Sequence, residues 1–234
     1  MVNVEEDRRH ERRIPTDEEI VLLFEWLAGD ARTGVRNRVA FRNQMTPARR
    51  AIGYKISMAT GYRVSEMRTL DAASFDLESG TVSVRAAYAK NRRFDVQHLP
   101  TWLVEELREW RDAGGEMSWP FPGGKSGRTL KRDLQDARAV WIKSGISPAE
   151  QKARSQSTTL CYSIPGPNGP LFFDFHSLRH YFVTQIVNTP GVSPKVMMAL
   201  CRHSSPHLSL KIYGKIRDQG ELKAVVNTIP NPRK

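Results

Sequence analysis

The segment Thr46–Glu66, TPARRAIGYKISMATGYRVSE, holds a helix with both ends marked and a basic turn directly after it. Thr46 followed by Pro47 is a helix start: a hydroxyl that can accept from a first-turn N–H, then a residue whose missing N–H costs nothing there. Gly61 marks the stop, because glycine takes the left-handed backbone of a helix end without steric cost. Ile52, Ile56 and Ala59 form one apolar stripe, and Arg49 and Arg50 lie off it. The pattern predicts one buried side and cations left free on the other.

Upstream, Thr16 with Glu19 is a capping box, and Ile20, Leu23, Phe24 and Leu27 fall on one helical face. Residues 1–13 mix Glu5, Glu6, Asp7 and Glu11 with Arg8, Arg9, Arg12 and Arg13, and read as a charged tail or linker. Downstream, residues 74–99 have strand periodicity. Val82, Val84 and Ala86 alternate with polar residues, as do Phe94, Val96 and His98, with Ala89–Arg93 as the turn between them. A short strand and an Asp76…Gly80 turn precede them, which gives a small antiparallel sheet of about three strands. Helices resume over Thr101–Asp112 and Arg128–Lys143, the second with Leu130, Leu134, Ala137 and Trp141 on one stripe. The run Pro165–Pro170 is expected to lie outside regular structure and to link two short strands. Closing helices are expected near His176, at Ser193-Pro194 and at Ser205-Pro206. The expected architecture is a mainly helical α+β domain over residues 14–234 with a small antiparallel three-stranded sheet.

With 39% hydrophobic and 26% charged residues, the 234-residue chain suits a packed domain. No window resembles a transmembrane run, and the charged N-terminus lacks the apolar core of a secretory signal. Cys161 and Cys201 have no metal-ligand spacing and read as packing residues of a cytoplasmic protein. The formal net charge is +11. From Ala31 to Ser65 the chain carries Arg32, Arg36, Arg38, Arg42, Arg49, Arg50, Lys55 and Arg63 and no acid. Arg85, Lys90, Arg92 and Arg93 cluster next, then Lys125, Arg128, Lys131 and Arg132. Acid-free stretches suit a polyanionic partner, with a merely solvated basic face as the bland alternative.

Chemistry-bearing groups fall in four places: Ala59–Glu66, the turn at Lys90, His176-Ser177-Leu178-Arg179-His180, and Arg202-His203-Ser204-Ser205, with Tyr213 ten residues beyond His203. They supply cations, imidazoles and a late hydroxyl nucleophile, without a carboxylate cluster or a His/Cys metal set. A phosphate-handling site that uses no metal needs this inventory, because growing negative charge must be met by fixed cations and donors. His176 and Arg179 lie three apart and project on one helix face. A helix N-terminus after Gly61 would add N–H donors beside Arg63.

These segments, in this order, resemble the catalytic domain of the tyrosine recombinases, the phage integrase family. That family carries T-G-x-R-x-S-E, a lysine on a β-hairpin, H-x-L-R-H, a second His or Trp in a G-H-S-S-like segment, and a tyrosine nine or ten residues later. The resemblance covers the chain from about Arg13. It implies that Arg63 and Arg179 clamp the phosphate, that Lys90 protonates the 5′-hydroxyl leaving group, and that His176 assists proton transfer. It likewise implies that His203 hydrogen-bonds the phosphate and that Tyr213 attacks it, with no metal and no cofactor. Arg92 and Arg93 adjoin Lys90, and a basic turn serves equally as a backbone contact. Arg202 stands where many members have glycine.

Arg49, Arg50, Lys55, Arg92, Arg93 and Arg202 are the candidate DNA contacts. The implied partners are double-stranded DNA and further copies of the chain, a tetramer on DNA, with Leu222, Ala224, Val225 and Val226 as a docking tail. The implied location is cytoplasmic, nucleoid-associated in a prokaryotic host. Family members commonly carry an N-terminal core-binding domain, so the chain is expected to be an excised catalytic domain. Two alternatives share the fold: a type IB topoisomerase-like nicking-closing enzyme, and a non-catalytic DNA-binding regulator.

Overall fold

The computed structural model describes residues 11–33, 45–85, 95–121 and 126–202. Lys90, Arg92, Arg93, His203, Tyr213 and the helix expected at Ser205-Pro206 lie outside the described residues. The chain divides into two compact units, Met1–Phe182 and Val183–Lys234.

In the first unit, β1 (Glu11–Arg12) precedes α1 (Asp17–Thr33). The capping box forms as expected: the Thr16 N–H donates to Glu19 Oε2 at 3.0 Å, and the Glu19 N–H donates to Thr16 Oγ1 at 3.2 Å. Helix α2 (Pro47–Thr60) begins with the Arg49 N–H donating to Thr46 Oγ1 and ends at Gly61, left-handed at φ 65°, whose N–H donates to Ser57 O. A single turn, α3 (Val64–Met67), leads to β2 (Phe75–Asp76), β3 (Thr81–Val84) and β4 (Asp95–His98), an antiparallel sheet in the order β2-β3-β4. Helices α4 (Thr101–Asp112), α5 (Ser126–Lys143) and α6 (Pro148–Gln156) follow. The hairpin of β5 (Ser163–Gly166) and β6 (Gly169–Phe172) then feeds α7 (Phe175–Val187), and α8 (Pro194–Cys201) comes after it.

The periodic stripes do what their spacing predicts. Leu23 and Leu27 of α1, Ile56 of α2 and Leu130 and Leu134 of α5 are fully buried, and Leu103 and Leu107 of α4 join them. Each such side chain contributes on the order of 1.5–3 kcal/mol. Tyr54 stacks on Phe121 at 5.6 Å between ring centroids, and Phe175 meets Phe121 edge-on at 4.8 Å. This aromatic cluster ties the start of α7 to α2. Among the described residues no helix is long and apolar enough to cross a membrane.

Four expectations are corrected. Arg49 and Arg50 are not free cations: they are 9% and 7% exposed. Arg49 pairs with Glu116 and donates to Ser118 O and Ser118 Oγ, while Arg50 grips both oxygens of Asp133 at 2.9 and 2.8 Å. Burying a guanidinium requires a charged partner, and residues 116–118 and α5 supply it. Lys55 is also engaged, with Glu106 at 2.5 Å and the Phe24 ring beneath it. A hydrophobic stripe locates a helix's buried side but cannot show that acids far along the chain will cover its flank.

In β4 the inward residue is Gln97, which is buried, and Val96 is 45% exposed. The register pairs Val82 with Gln97 and Ser83 with Val96. Cross-strand partners share a face, so burying Val82 takes Gln97 with it. Residues 11–13 are fold rather than tail. β1 pairs in parallel with β6, Glu11 opposite Leu171 and Arg12 opposite Phe172. Buried Arg13 spans both oxygens of Glu19 at 2.6 and 2.7 Å and donates to Cys161 O. Pro165 and Pro170 sit inside the β5–β6 ladder, opposite one another. Proline is tolerated there because β1 reaches only Leu171 and Phe172, so Pro170 owes no N–H to that side.

In the second unit, α8 opens with Ser193 accepting from the Val196 N–H and ends at Arg202, left-handed at φ 57° and ψ 39°. That backbone is one a glycine adopts without strain. An arginine there costs on the order of 1 kcal/mol that a glycine would not. Cys201 is buried and Cys161 half-buried, both as thiols.

Candidate active site

The site begins where α2 stops. At Gly61 a Cβ would lie 2.6 Å from Phe182 Cδ1 and 3.3 Å from Arg179 Nη1, and φ is +65°. Glycine is therefore required twice, by the turn and by the approach of α7. Through that gap the Arg179 guanidinium donates to Gly61 O at 2.6 Å, and Arg179 is only 3% exposed. Tyr62 is fully buried, with its hydroxyl donating to Val82 O at 3.0 Å. It pins the turn to β3 and sends the next residue, Arg63, towards solvent.

Arg63 is the residue on which α3 starts. Its N–H donates to Glu66 Oε2 at 2.8 Å, and its Nη1 lies 3.3 Å from Glu66 Oε1. The helix-end N–H expected to await an anion is thus taken by a carboxylate of the same turn. Glu66 is 1% exposed, so the acid is a fixed anchor for the arginine rather than a surface charge.

Asp174 opens α7. Its Oδ1 accepts from the His176 N–H at 2.9 Å, and its carboxylate accepts from Arg12 Nε at 3.2 and 3.0 Å. His176 is half-buried, its ring set edge-on to His180 at 5.1 Å. Burial, then the charges of His180, Arg12, Arg179 and Arg63, push its imidazole pKa down to about 3. At neutral pH it is an uncharged ring among guanidiniums.

Arg12, Arg63, Val64, Ser65, Asp174, Phe175 and His176 line one cavity of about 300 Å³. The structure therefore brings Arg63 and His176 together, with Arg179 buried behind the Gly61 turn and near enough for its charge to act on His176. Arg12 and Asp174 were not singled out from the sequence. Asp174 carried a signal, an N-cap residue two before His176. Arg12 carried none, being one arginine of a mixed charged run.

The depressed imidazole makes stability depend on pH in a defined direction. Below about 6.5 the unfolded chain takes up a proton that the folded chain refuses until about 3. This contribution is fully present above pH 6.5 and is lost as pH falls through that window, by at most about 1.4 kcal/mol per unit. Urea unfolding at pH 7 and pH 5 should show a smaller loss for His176→Gln than for the wild type. Equal losses in the two proteins would exclude His176 as a source of the acid sensitivity.

The sequence profile described as the phage integrase family matches residues 36–219. No curated protein sequence matches the chain significantly. Among solved structures, XerA recombinase is similar in fold at a TM-score of 0.57 and 17% identity, over 95% of this chain and 67% of that one. The Tn1549 transposon integrase in complex with transposon right end DNA is similar at 0.54 and 14% identity, over 94% and 67%. The catalytic domain of bacteriophage HP1 integrase is similar at 0.52 and 15%, over 96% of this chain and all of that one. At these identities the likeness is one of fold.

Proposed function

The chain belongs to the phage integrase family, and we propose that it breaks and rejoins DNA strands at a specific site through a covalent bond to Tyr213. In this reading the Tyr213 phenolic oxygen attacks a DNA phosphorus. The Oη–P bond forms, the P–O5′ bond breaks, and a 3′-phosphotyrosyl link and a 5′-hydroxyl result. The phenolic proton leaves through His176 and the 5′-oxygen takes a proton from Lys90. Attack by a 5′-hydroxyl of the same or a second duplex reverses the step. The ester retains the bond energy, so no ATP is consumed.

The observation that carries this reading is the cavity in which Arg63 meets a neutral His176, with Arg179 anchored behind it. A phosphodiester entering it would be held by forked donors that stay charged. Burial is the first cause of the low imidazole pKa and the cations the second; a bound phosphate would offset the cations and so raise the basicity of His176 in the complex. Fixed cations of this kind lower the barrier to phosphoryl transfer because they are already oriented when charge develops on the phosphate. Lys90, His203 and Tyr213 enter on sequence grounds.

The test uses a pool of duplexes with randomised sequence, each nicked so that a cleaved strand loses its short 5′-hydroxyl fragment. Incubation with the full chain should yield SDS-stable protein–DNA adducts in which one sequence is enriched, and peptide mapping should place the nucleotide on Tyr213. No stable adduct from the pool, or nucleotide on another residue, overturns the reading. Non-covalent binding to the recovered site should weaken steeply with salt.

A further inference from the structure

We propose that Arg12, brought to the cavity by β1, is a further phosphate-binding residue that contacts a non-bridging oxygen of the phosphodiester beside Arg63. This rests on the DNA-cleavage reading and adds a substrate contact to it.

Placement comes first. Arg12 lines the same cavity as Arg63 and His176, and its side chain is 30% exposed, as is that of Arg63. Strand β1 is fixed where it must be for this. Arg12 sits opposite Phe172, the Arg13 N–H donates to Phe172 O at 3.0 Å, and Arg13 is clamped by Glu19. The backbone on both sides of Arg12 is thus tied to β6, and on the Arg13 side to a buried ion pair as well, so its side chain has a defined origin at the cavity wall.

The way Arg12 is held points the same way. Arg63 is anchored by Glu66, a carboxylate that also accepts an N–H at the start of α3. Arg12 is anchored by Asp174, a carboxylate that also accepts an N–H at the start of α7. In both, one acid caps a helix and orients a guanidinium on the cavity. The arginines that serve packing are more deeply withdrawn: the side chains of Arg13 and Arg50 are each 8% exposed against buried acids, and that of Arg12 is 30% exposed. Arg12 meets Asp174 through Nε on both oxygens. The Arg12 charge also acts on His176 from its place in the wall.

The experiment uses the sequence recovered from the nicked pool, as a phosphodiester and with a neutral methylphosphonate at the scissile position. Arg12→Gln should form adduct about 30- to 100-fold more slowly than wild type on the phosphodiester. On the methylphosphonate, where there is less negative charge to meet, the deficit should shrink to under threefold. Arg12→Lys keeps a cation and serves if Arg12→Gln is too unstable to assay. Its deficit should be at least fivefold on the phosphodiester and again disappear on the methylphosphonate. A variant rate within threefold of wild type on the phosphodiester overturns the proposal. So does an equal deficit on both substrates, which would make Arg12 a structural tie between β1 and α7. Failure of the wild-type chain to form any adduct is a different result, and sinks the cleavage reading instead.

Discussion

Replacing Tyr213 with phenylalanine is expected to abolish covalent adduct formation, by about 10⁴-fold or more, while leaving non-covalent DNA binding within a few-fold of wild type. The substitution removes one oxygen and keeps the ring. Binding should survive because most affinity for DNA comes from phosphate contacts with basic groups, which the change does not touch. The two quantities are read on the recovered site by SDS-stable adduct and by gel shift. Three of the four described tyrosines sharpen the test. The Tyr54 hydroxyl donates to Asp133, that of Tyr62 to Val82 O and that of Tyr181 to Asp17. Each is committed to holding the fold, so Tyr181→Phe should retain adduct formation. Adduct persisting in Tyr213→Phe would remove the nucleophile from the mechanism.

The second large effect concerns stability. Asp133 of α5 accepts from Arg50 Nε and Nη2 at 2.9 and 2.8 Å and from the Tyr54 hydroxyl at 2.7 Å, with both charged side chains under 10% exposed. Burial pushes the Asp133 carboxyl up and Arg50 and Tyr54 draw it back, with a net rise. Burial together with the Asp133 charge likewise raises the Tyr54 hydroxyl well above its usual value. Asp133→Ala leaves a buried guanidinium without its counter-charge, and should cost about 3–5 kcal/mol in urea unfolding. That is a large share of a domain's usual margin of about 5–15 kcal/mol. The double variant Arg50→Met, Asp133→Leu removes both charges and fills the space. It should be less destabilised than Asp133→Ala alone, because no orphan charge remains. A cost below about 1 kcal/mol for Asp133→Ala would show that water reaches the pair.

The consequence reaches the cavity. Arg50 lies on α2, and α2 ends at Gly61, whose carbonyl receives Arg179. Loosening α5 from α2 therefore loosens the turn that presents Arg63. The basic residues expected to meet DNA from this helix act instead as its fastening.

Local signals carried much of this protein. Thr16 with Glu19, Thr46 with Pro47, Ser193 with Pro194, and Gly61 each predicted a helix end, and each is observed. Such ends depend on groups within four residues of one another, so they can be read along the chain. Leu130, Leu134 and Ala137 predicted the buried face of α5 for the same reason. The order of Arg63, His176, Arg179, His203 and Tyr213 indicated the family, and the phage integrase profile spans them all.

What only the tertiary structure decided is where charges far apart in sequence find one another. Arg49 meets Glu116, Arg50 meets Asp133 and Arg12 meets Asp174 across 67, 83 and 162 residues. Nothing in the neighbourhood of an arginine tells whether a distant acid will bury it or whether it will face a cavity. The sign of the stripe in β4 was hidden likewise, since it depends on which residue of β3 sits opposite. By itself the sequence determined many of the helix ends and the family, while α6, over residues read as irregular, and the place of Arg12 and Asp174 in the cavity came only from the structure. Whether a given cation serves packing or chemistry was decided by burial, because a charge withdrawn from water must have a partner and the fold alone chooses which.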